Sequence, residues 1–181
     1  ADHVTGKKVI VKTLTAGSTF VTLDNKERKL QDNDLMICNT QEGMCIAGVF
    51  GGSKSGITSG TRNIFLESAC FSPDYIRKTS MYHQLKTDAS FRFERGTDPN
   101  ITVYALKRAA LLIKEIAGGK ISSEVVDVYP SAVRNRIIEV KDKNVNRLIG
   151  KVIPRTEIYA ILTRLDIEIL EMTTESFKAS V

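Results

Sequence analysis

AGVFGGSKSG at residues 47–56, IFLESACFSPDYIRKTS at 64–80 and TDASFRFERGTDP at 87–99 decide how the rest of the chain is read. In order, they are an apolar run ending in paired glycines, an apolar strand carrying one carboxylate, and a polar turn leading to FRFERG. This alternation predicts a pocket wall built from backbone and small residues, with one acid, Glu67, reaching into it.

The apolar run predicts a strand over 44–50, and its nearly unbroken hydrophobicity predicts burial on both faces. Gly48 inside it implies that something approaches the backbone closely there. The loop at 51–56 invites two motif assignments, and both fail. A phosphate-binding loop needs Gly, four residues, then Gly-Lys-Ser/Thr, and Ile57 stands where the lysine should be. A nucleophile elbow needs Gly-x-Ser-x-Gly, and counting from Gly51 through Ser53 puts Ser55 at the closing place. What is left is either a loop whose main-chain N–H groups face a ligand or a plain flexible turn; spacing alone leaves both open.

Alternation over 64–71 predicts a strand with Phe65, Glu67, Ala69 and Phe71 on one face. A lone carboxylate on such a face is costly unless it is paired or hydrogen-bonded. Glu67 is therefore either the partner of a core arginine such as Arg92 or an acceptor for a polar group on a ligand. Ser72-Pro73 opens a helix, cap followed by proline, running to about Gln84. Tyr75, Ile76, Thr79 and His83 share one side of it, and His83 reads as a surface or packing histidine because nothing nearby orients it. Residues 91–96 alternate aromatic and charged, a pattern that either stacks nucleic-acid bases or places two phenylalanines on a core-facing strand.

Asp98-Pro99 opens the strongest helix, with Ile101, Ala105, Ala109, Leu112 and Ile116 at helical spacing for core packing and Gly118-Gly119 at its end. A strand over 120–129 follows, and Pro130-Ser131 marks a domain edge. Upstream, strands are predicted at 9–11, 19–23 and 35–38, with turns at 16–18 and 24–26. Downstream, the pattern predicts a strand at 137–140, a short helix at 145–149, a second helix from Pro154 with Ile158, Ile161, Leu162 and Leu165 inward, and a strand at 167–170. The expected class is α/β (α+β): a mixed sheet with flanking helices over 1–131, then a partial small α+β module over 132–181.

Composition narrows the field. A hydrophobic share of 42% with 26% charged residues is that of an ordinary globular domain, in a chain of 181 residues. Net charge is +5, with both signs interspersed, which permits an anionic partner without demanding one. No apolar run approaches the ~20 residues that cross a bilayer, and the first residues lack the apolar core of a signal peptide. With no initiator Met, the sequence reads as an excised piece. The three cysteines, Cys38, Cys45 and Cys70, lie in apolar surroundings far from His3 and His83, so they read as buried free thiols with no zinc spacing.

AGVFGGSKSG, FLESACFSP and TDASFRFERGTDP, in this order and at these separations, resemble the β chain of bacterial-type phenylalanyl-tRNA synthetase. The matching region is its editing domain, formed by the third and fourth modules, and the tail VNRLIGKVIP…IYAILTRLDIEI resembles the start of the fifth. The resemblance implies a ligase of protein biosynthesis that binds tRNA and works in the cytoplasm, away from membranes, with an α chain in a hetero-oligomer of two α and two β chains. ATP and magnesium belong to the synthetic site on that α chain, so no cofactor or metal is expected here.

The implied activity is proofreading by hydrolysis of the tyrosyl ester on mischarged phenylalanine tRNA; the alternative is a non-catalytic tRNA-positioning module. Glu67 matches the family's acceptor for the tyrosine phenol, and Gly51 a place where the backbone nears the bound amino acid. Thr87 and Ala89 match residues that shape the pocket, with Gly48 and Gly52 beside it. A bulkier residue at Ala89 should occlude it. Asp88, Ser90, Arg92 and Glu94 would support the wall. The family also carries a His-Ala-Phe-Asp motif upstream, which helps place the water. His3 does not match it, so the catalytic residue is unknown here and the isolated piece is expected to be inactive.

Overall fold

The computed structural model describes residues 1–181, which divide into two compact units, Ala1–Asp127 and Val128–Val181. The first opens with a 3-10 turn, Thr5–Lys7, and six strands: β1 (Ile10–Thr13), β2 (Thr19–Val21), β3 (Glu27–Lys29), β4 (Leu35–Cys38), β5 (Gly43–Ile46) and β6 (Phe50–Gly51). Strands β1, β4, β5 and β6 pair in that order and β2 pairs with β3, every pairing antiparallel. Thr22 bridges to Gly52, tying the β2–β3 hairpin to the end of β6.

β4 is the best-buried strand of the unit. Met36, Ile37 and Cys38 join Phe20, Leu30, Ile46, Val49, Phe71 and Ile76 in one core. Deleting apolar side chains from such a site costs both transfer free energy and a cavity.

The expected strand at 44–50 is two strands with a turn between them. Val49 N–H donates to the Ile46 carbonyl (3.0 Å), and Gly48 takes φ +66°. A Cβ there would stand 2.8 Å from Phe71, 3.0 Å from Ile76 and 3.2 Å from Phe93. Something does approach this backbone closely, and it is the domain's own core.

Helices α1 (Pro73–His83), α2 (Asp88–Phe93) and α3 (Thr102–Ala117) complete the unit. α1 opens at Ser72-Pro73 as expected and buries Ile76, Thr79, Ser80 and His83. α2 replaces the alternating segment expected at 91–96. Thr87 Oγ1 accepts from Ser90 N–H, and Ser90 Oγ accepts from Thr87 N–H, each at 3.0 Å. That reciprocal cap starts a helix, and it outweighs four residues of alternation.

The helix also separates the two phenylalanines. Phe93 packs on Phe71 with ring centroids 5.0 Å apart, whereas Phe91 is 57% exposed beneath the Arg95 guanidinium. α3 forms where its periodicity and Gly118 place it, preceded by a 3-10 turn at Pro99–Ile101, but it buries none of its residues and Ile116 is 82% exposed. Its apolar stripe is not core in this chain. The strands expected at 64–71 and 120–129 are irregular, having no neighbouring strand to complete a ladder.

The second unit holds β7 (Ile137–Lys141), α4 (Asp142–Ile149), α5 (Arg155–Arg164), β8 (Glu168–Met172) and β9 (Ser176–Ser180), with sheet order β7-β9-β8. β9 is the central strand, buried on both faces except at Lys178. Sequence reading missed it: SFKAS does alternate, with Phe177 and Ala179 between polar residues, but it offers only one large apolar side chain. Phe177 packs edge-on against Tyr159 of α5, and Arg155 donates to the Thr173 and Ser176 carbonyls at 2.7 and 2.9 Å. These bonds hold the β8–β9 turn on the helix start. Of the four α5 positions expected inward, only Ile158 is buried; Leu165 is largely exposed. The two units together give the α+β class expected.

Candidate functional site

Glu67 lies in a cleft of about 300 Å³. Ile37 of β4 and Met44 and Cys45 of β5 form its floor, the 55–63 loop one rim, and residues 1–4 the opposite rim. The first rim is tied to the floor by Ser55 Oγ donating to the Met44 carbonyl. The rims join where Asn63 Nδ2 donates to Asp2 Oδ1 at 3.0 Å. His3 lines the cleft too, held through its carbonyl by Asn39 Nδ2 at 2.9 Å.

Of the face expected at 65–71, Phe65 shares the cleft with Glu67, while Ala69 and Phe71 turn into the core. The Arg92 partnership does not form: desolvation alone shifts Glu67, with no cation or hydrogen bond offsetting it. The residue as a whole stays exposed, yet its carboxyl is crowded enough by protein that burial pushes its pKa up. Cys45, beside it, is pushed up to about 12, first by burial and then by the Glu67 charge. A thiol so raised remains protonated at neutral pH and is no nucleophile.

The Glu67 shift has a direct consequence for stability. The folded state holds this proton more tightly than the unfolded chain, whose glutamate pKa is about 4.3. Stability therefore falls as pH climbs from about 4.3 through the raised folded value, and the cost is complete above it. Glu67→Gln removes that dependence. Urea midpoints should show the variant gaining on the parent as pH rises from about 4 to about 8; a constant difference would mean that the carboxyl is not desolvated.

The remaining expected residues gather elsewhere. Thr87 Oγ1 donates to the Val49 carbonyl at 2.8 Å, which brings the start of α2 against the turn containing Gly48. Ala89 is exposed on α2. At Gly51 a Cβ would meet Leu23 at 2.9 Å, and at Gly52 it would meet the Met44 carbonyl oxygen at 2.6 Å. Gly48, Gly51, Gly52, Thr87 and Ala89 are not among the residues lining the Glu67 cleft. Nor are the loop amides free as a group: Gly52, Ser53 and Ser55 N–H donate to the Met44, Val21 and Gly52 carbonyls. The expectation that this loop presents a row of donors fails at those three.

Sequence reading also missed a buried polar cluster. His83 is not unoriented: its Nε2 lies 2.6 Å from Oδ2 of Asp34, whose Oδ1 accepts from Thr79 Oγ1 at 2.7 Å. Both members of the pair are buried. Their wide separation in sequence hid the pairing. Among the cysteines, Cys38 is buried, Cys45 half-buried and Cys70 exposed, so the expectation of three buried thiols fails at Cys70.

The family model for the B3/4 domain matches residues 1–118, and the chain belongs to that family. All 181 residues are, in addition, similar to the phenylalanine–tRNA ligase beta subunit of Bacteroides fragilis, with 54% identity over 22% of that protein. The same subunit from Bacteroides thetaiotaomicron is 53% identical over the whole chain and 22% of its own length, and that of Geobacter metallireducens 42% over 23%. The resemblance carried by the three motifs thus extends along the entire sequence. The chain spans about a fifth of the length of the curated relatives it matches. No helix is long and apolar enough to cross a membrane.

Proposed function

We propose that this chain is the proofreading part of a cytoplasmic phenylalanine–tRNA ligase β subunit, which releases tyrosine from mischarged phenylalanine tRNA. The observation that carries the reading is Glu67: an acid without a partner in a cleft of about 300 Å³, at the place where the family's motif puts its phenol acceptor. Tyrosine exceeds phenylalanine by one hydroxyl. A hydrophobic pocket rejects that addition poorly, whereas a site that binds the hydroxyl discriminates by roughly four to five orders of magnitude. An acceptor for the phenol therefore selects the error for destruction.

The reaction is hydrolysis of an aminoacyl ester by a positioned water. It calls for orientation rather than a nucleophilic side chain, consistent with the protonated Cys45 thiol. The resemblance assigns Thr87, Ala89, Gly48, Gly51 and Gly52 to the pocket's other wall, with tRNA and the α chain of a two-α, two-β assembly as partners. ATP and magnesium act at the α chain's synthetic site, and no cofactor is assigned here.

One observation favours a second reading for the chain by itself. The residues of that wall do not line the Glu67 cleft, which suits a scaffold that positions tRNA without cleaving the ester. Tyrosine release from tyrosyl-tRNA bearing the phenylalanine anticodon separates the two. This chain should be inactive, and a chain extended upstream through the family's His-Ala-Phe-Asp motif should hydrolyse. Inactivity of both, and of the assembled synthetase, would favour the scaffold.

A further inference from the structure

The segment carrying Thr87 and Ala89 leaves from the C-terminal end of α1, and two groups with no part in the pocket hold that end. Asp34, fully buried between β3 and β4, faces His83 Nε2 with Oδ2, which also accepts from Gln31 N–H at 2.8 Å. Arg28 of β3 donates through Nη1 to the His83 carbonyl at 3.0 Å, while its Nη2 is held by Asp24 Oδ2 at 2.8 Å. The last residue of α1 is thus gripped by side chain and main chain at once.

From there the path to the wall is short. Gln84 reverses the chain at φ 54°, and Leu85 N–H donates to the Ser80 carbonyl at 2.9 Å. The Leu85 carbonyl lies 3.2 Å from Ser90 Oγ, the same hydroxyl that accepts from Thr87 N–H. Thr87 Oγ1 closes the path on Val49.

We propose that Arg28 and Asp34 clamp His83 and so set the position of the wall formed by Thr87 and Ala89. The proposal rests on the reading of those two residues as pocket wall. Packed apolar residues would stabilise this helix end as well as a buried polar pair does; what the hydrogen bonds add is a fixed bond direction at the point where the wall begins. Arg28, Asp34 and His83 are positioning residues, and their loss should weaken ester binding without slowing the bound ester's hydrolysis.

The test uses the full-length subunit in the assembled synthetase, with tyrosyl-tRNA bearing the phenylalanine anticodon. His83→Asn shortens the reach to Asp34, and Arg28→Met keeps the stem but removes the donor. Each should raise KM on the order of tenfold, one hydrogen bond's worth, with kcat nearly unchanged. His83→Gln, whose amide nitrogen reaches about as far as Nε2, should restore most of KM. Thr79→Val also removes a bond to Asp34, but in mid-helix, and should leave KM alone. If His83→Asn does not fold, Arg28→Met decides. Unmoved KM in the clamp variants, or an equal rise in Thr79→Val, overturns the clamp. Ala89→Leu run alongside separates the two claims: unmoved tyrosyl-ester hydrolysis there overturns the reading of Thr87 and Ala89 as pocket wall and the clamp's role with it, whereas lost hydrolysis there with unmoved KM in the clamp variants overturns the clamp alone.

Discussion

Glu67→Ala in the assembled synthetase is expected to cut the preference for tyrosyl over phenylalanyl esters sharply. The phenol and a carboxylate form a charge-assisted hydrogen bond, worth about 1.5–3 kcal/mol, so the ratio of kcat/KM values should fall on the order of 10- to 150-fold. The change should reside in the tyrosyl ester, because phenylalanine makes no use of the acceptor. Glu67→Gln keeps an oxygen acceptor and loses the charge, so it should fall between. Desolvation by the surrounding protein raises the carboxyl's pKa. A ratio unchanged in Glu67→Ala would remove Glu67 from recognition.

The largest effect on stability is expected at Gly48. Gly48→Ala must hold φ +66° with a side chain and push its Cβ to within 2.8 Å of Phe71. Backbone strain of about 1 kcal/mol or more adds to overpacking of about 1–3 kcal/mol, so a loss of roughly 2–4 kcal/mol is expected. Gly17→Ala is the matched control. Its φ is +82°, yet nothing lies within 4 Å of the added Cβ, so only the backbone cost of about 1 kcal/mol remains. Urea denaturation of both variants measures the difference. Equal losses would mean that Phe71, Ile76 and Phe93 yield freely, and that the Gly48 turn is not pinned by the core.

Locally signalled features were legible in the sequence. The Ser72-Pro73 start of α1, the Gly118 and Gly150 ends of α3 and α4, and the strands β1, β2 and β4 all carry their evidence within a few residues. The errors fall where neighbours decide. Residues 64–71 alternate like a strand, but they pair with none of β1, β4, β5 or β6 and stay irregular. β9 has the reverse problem: SFKAS is a poor strand by composition and becomes one because β7 and β8 flank it. At 91–96 the alternation was visible, and so was Thr87, but Ser90 in place of the usual Glu or Gln disguised the capping box.

The site shows the same division. Glu67 stood out as an unpaired carboxylate on an apolar face, and in the structure it lines a cleft with no cation or hydrogen-bond partner. The Asp34–His83 pair did not stand out, because its two halves lie in the β3–β4 loop and at the end of α1 and meet only after folding. Of the glycines, only Gly48 was flagged from its place in an apolar run for close approach to its backbone. The approaching atoms at Gly48, Gly51 and Gly52 belong to Phe71, Leu23 and Met44 rather than to a ligand, a distinction that spacing does not encode.

The central claim is that the cleft selects the tyrosyl ester for hydrolysis. Its most direct test is the time course of tyrosine release from tyrosyl-tRNA bearing the phenylalanine anticodon, mixed with the assembled synthetase, against phenylalanyl-tRNA in parallel. The account predicts rapid loss of the tyrosyl ester and persistence of the phenylalanyl ester. Release of both at the rate seen in buffer alone would contradict it.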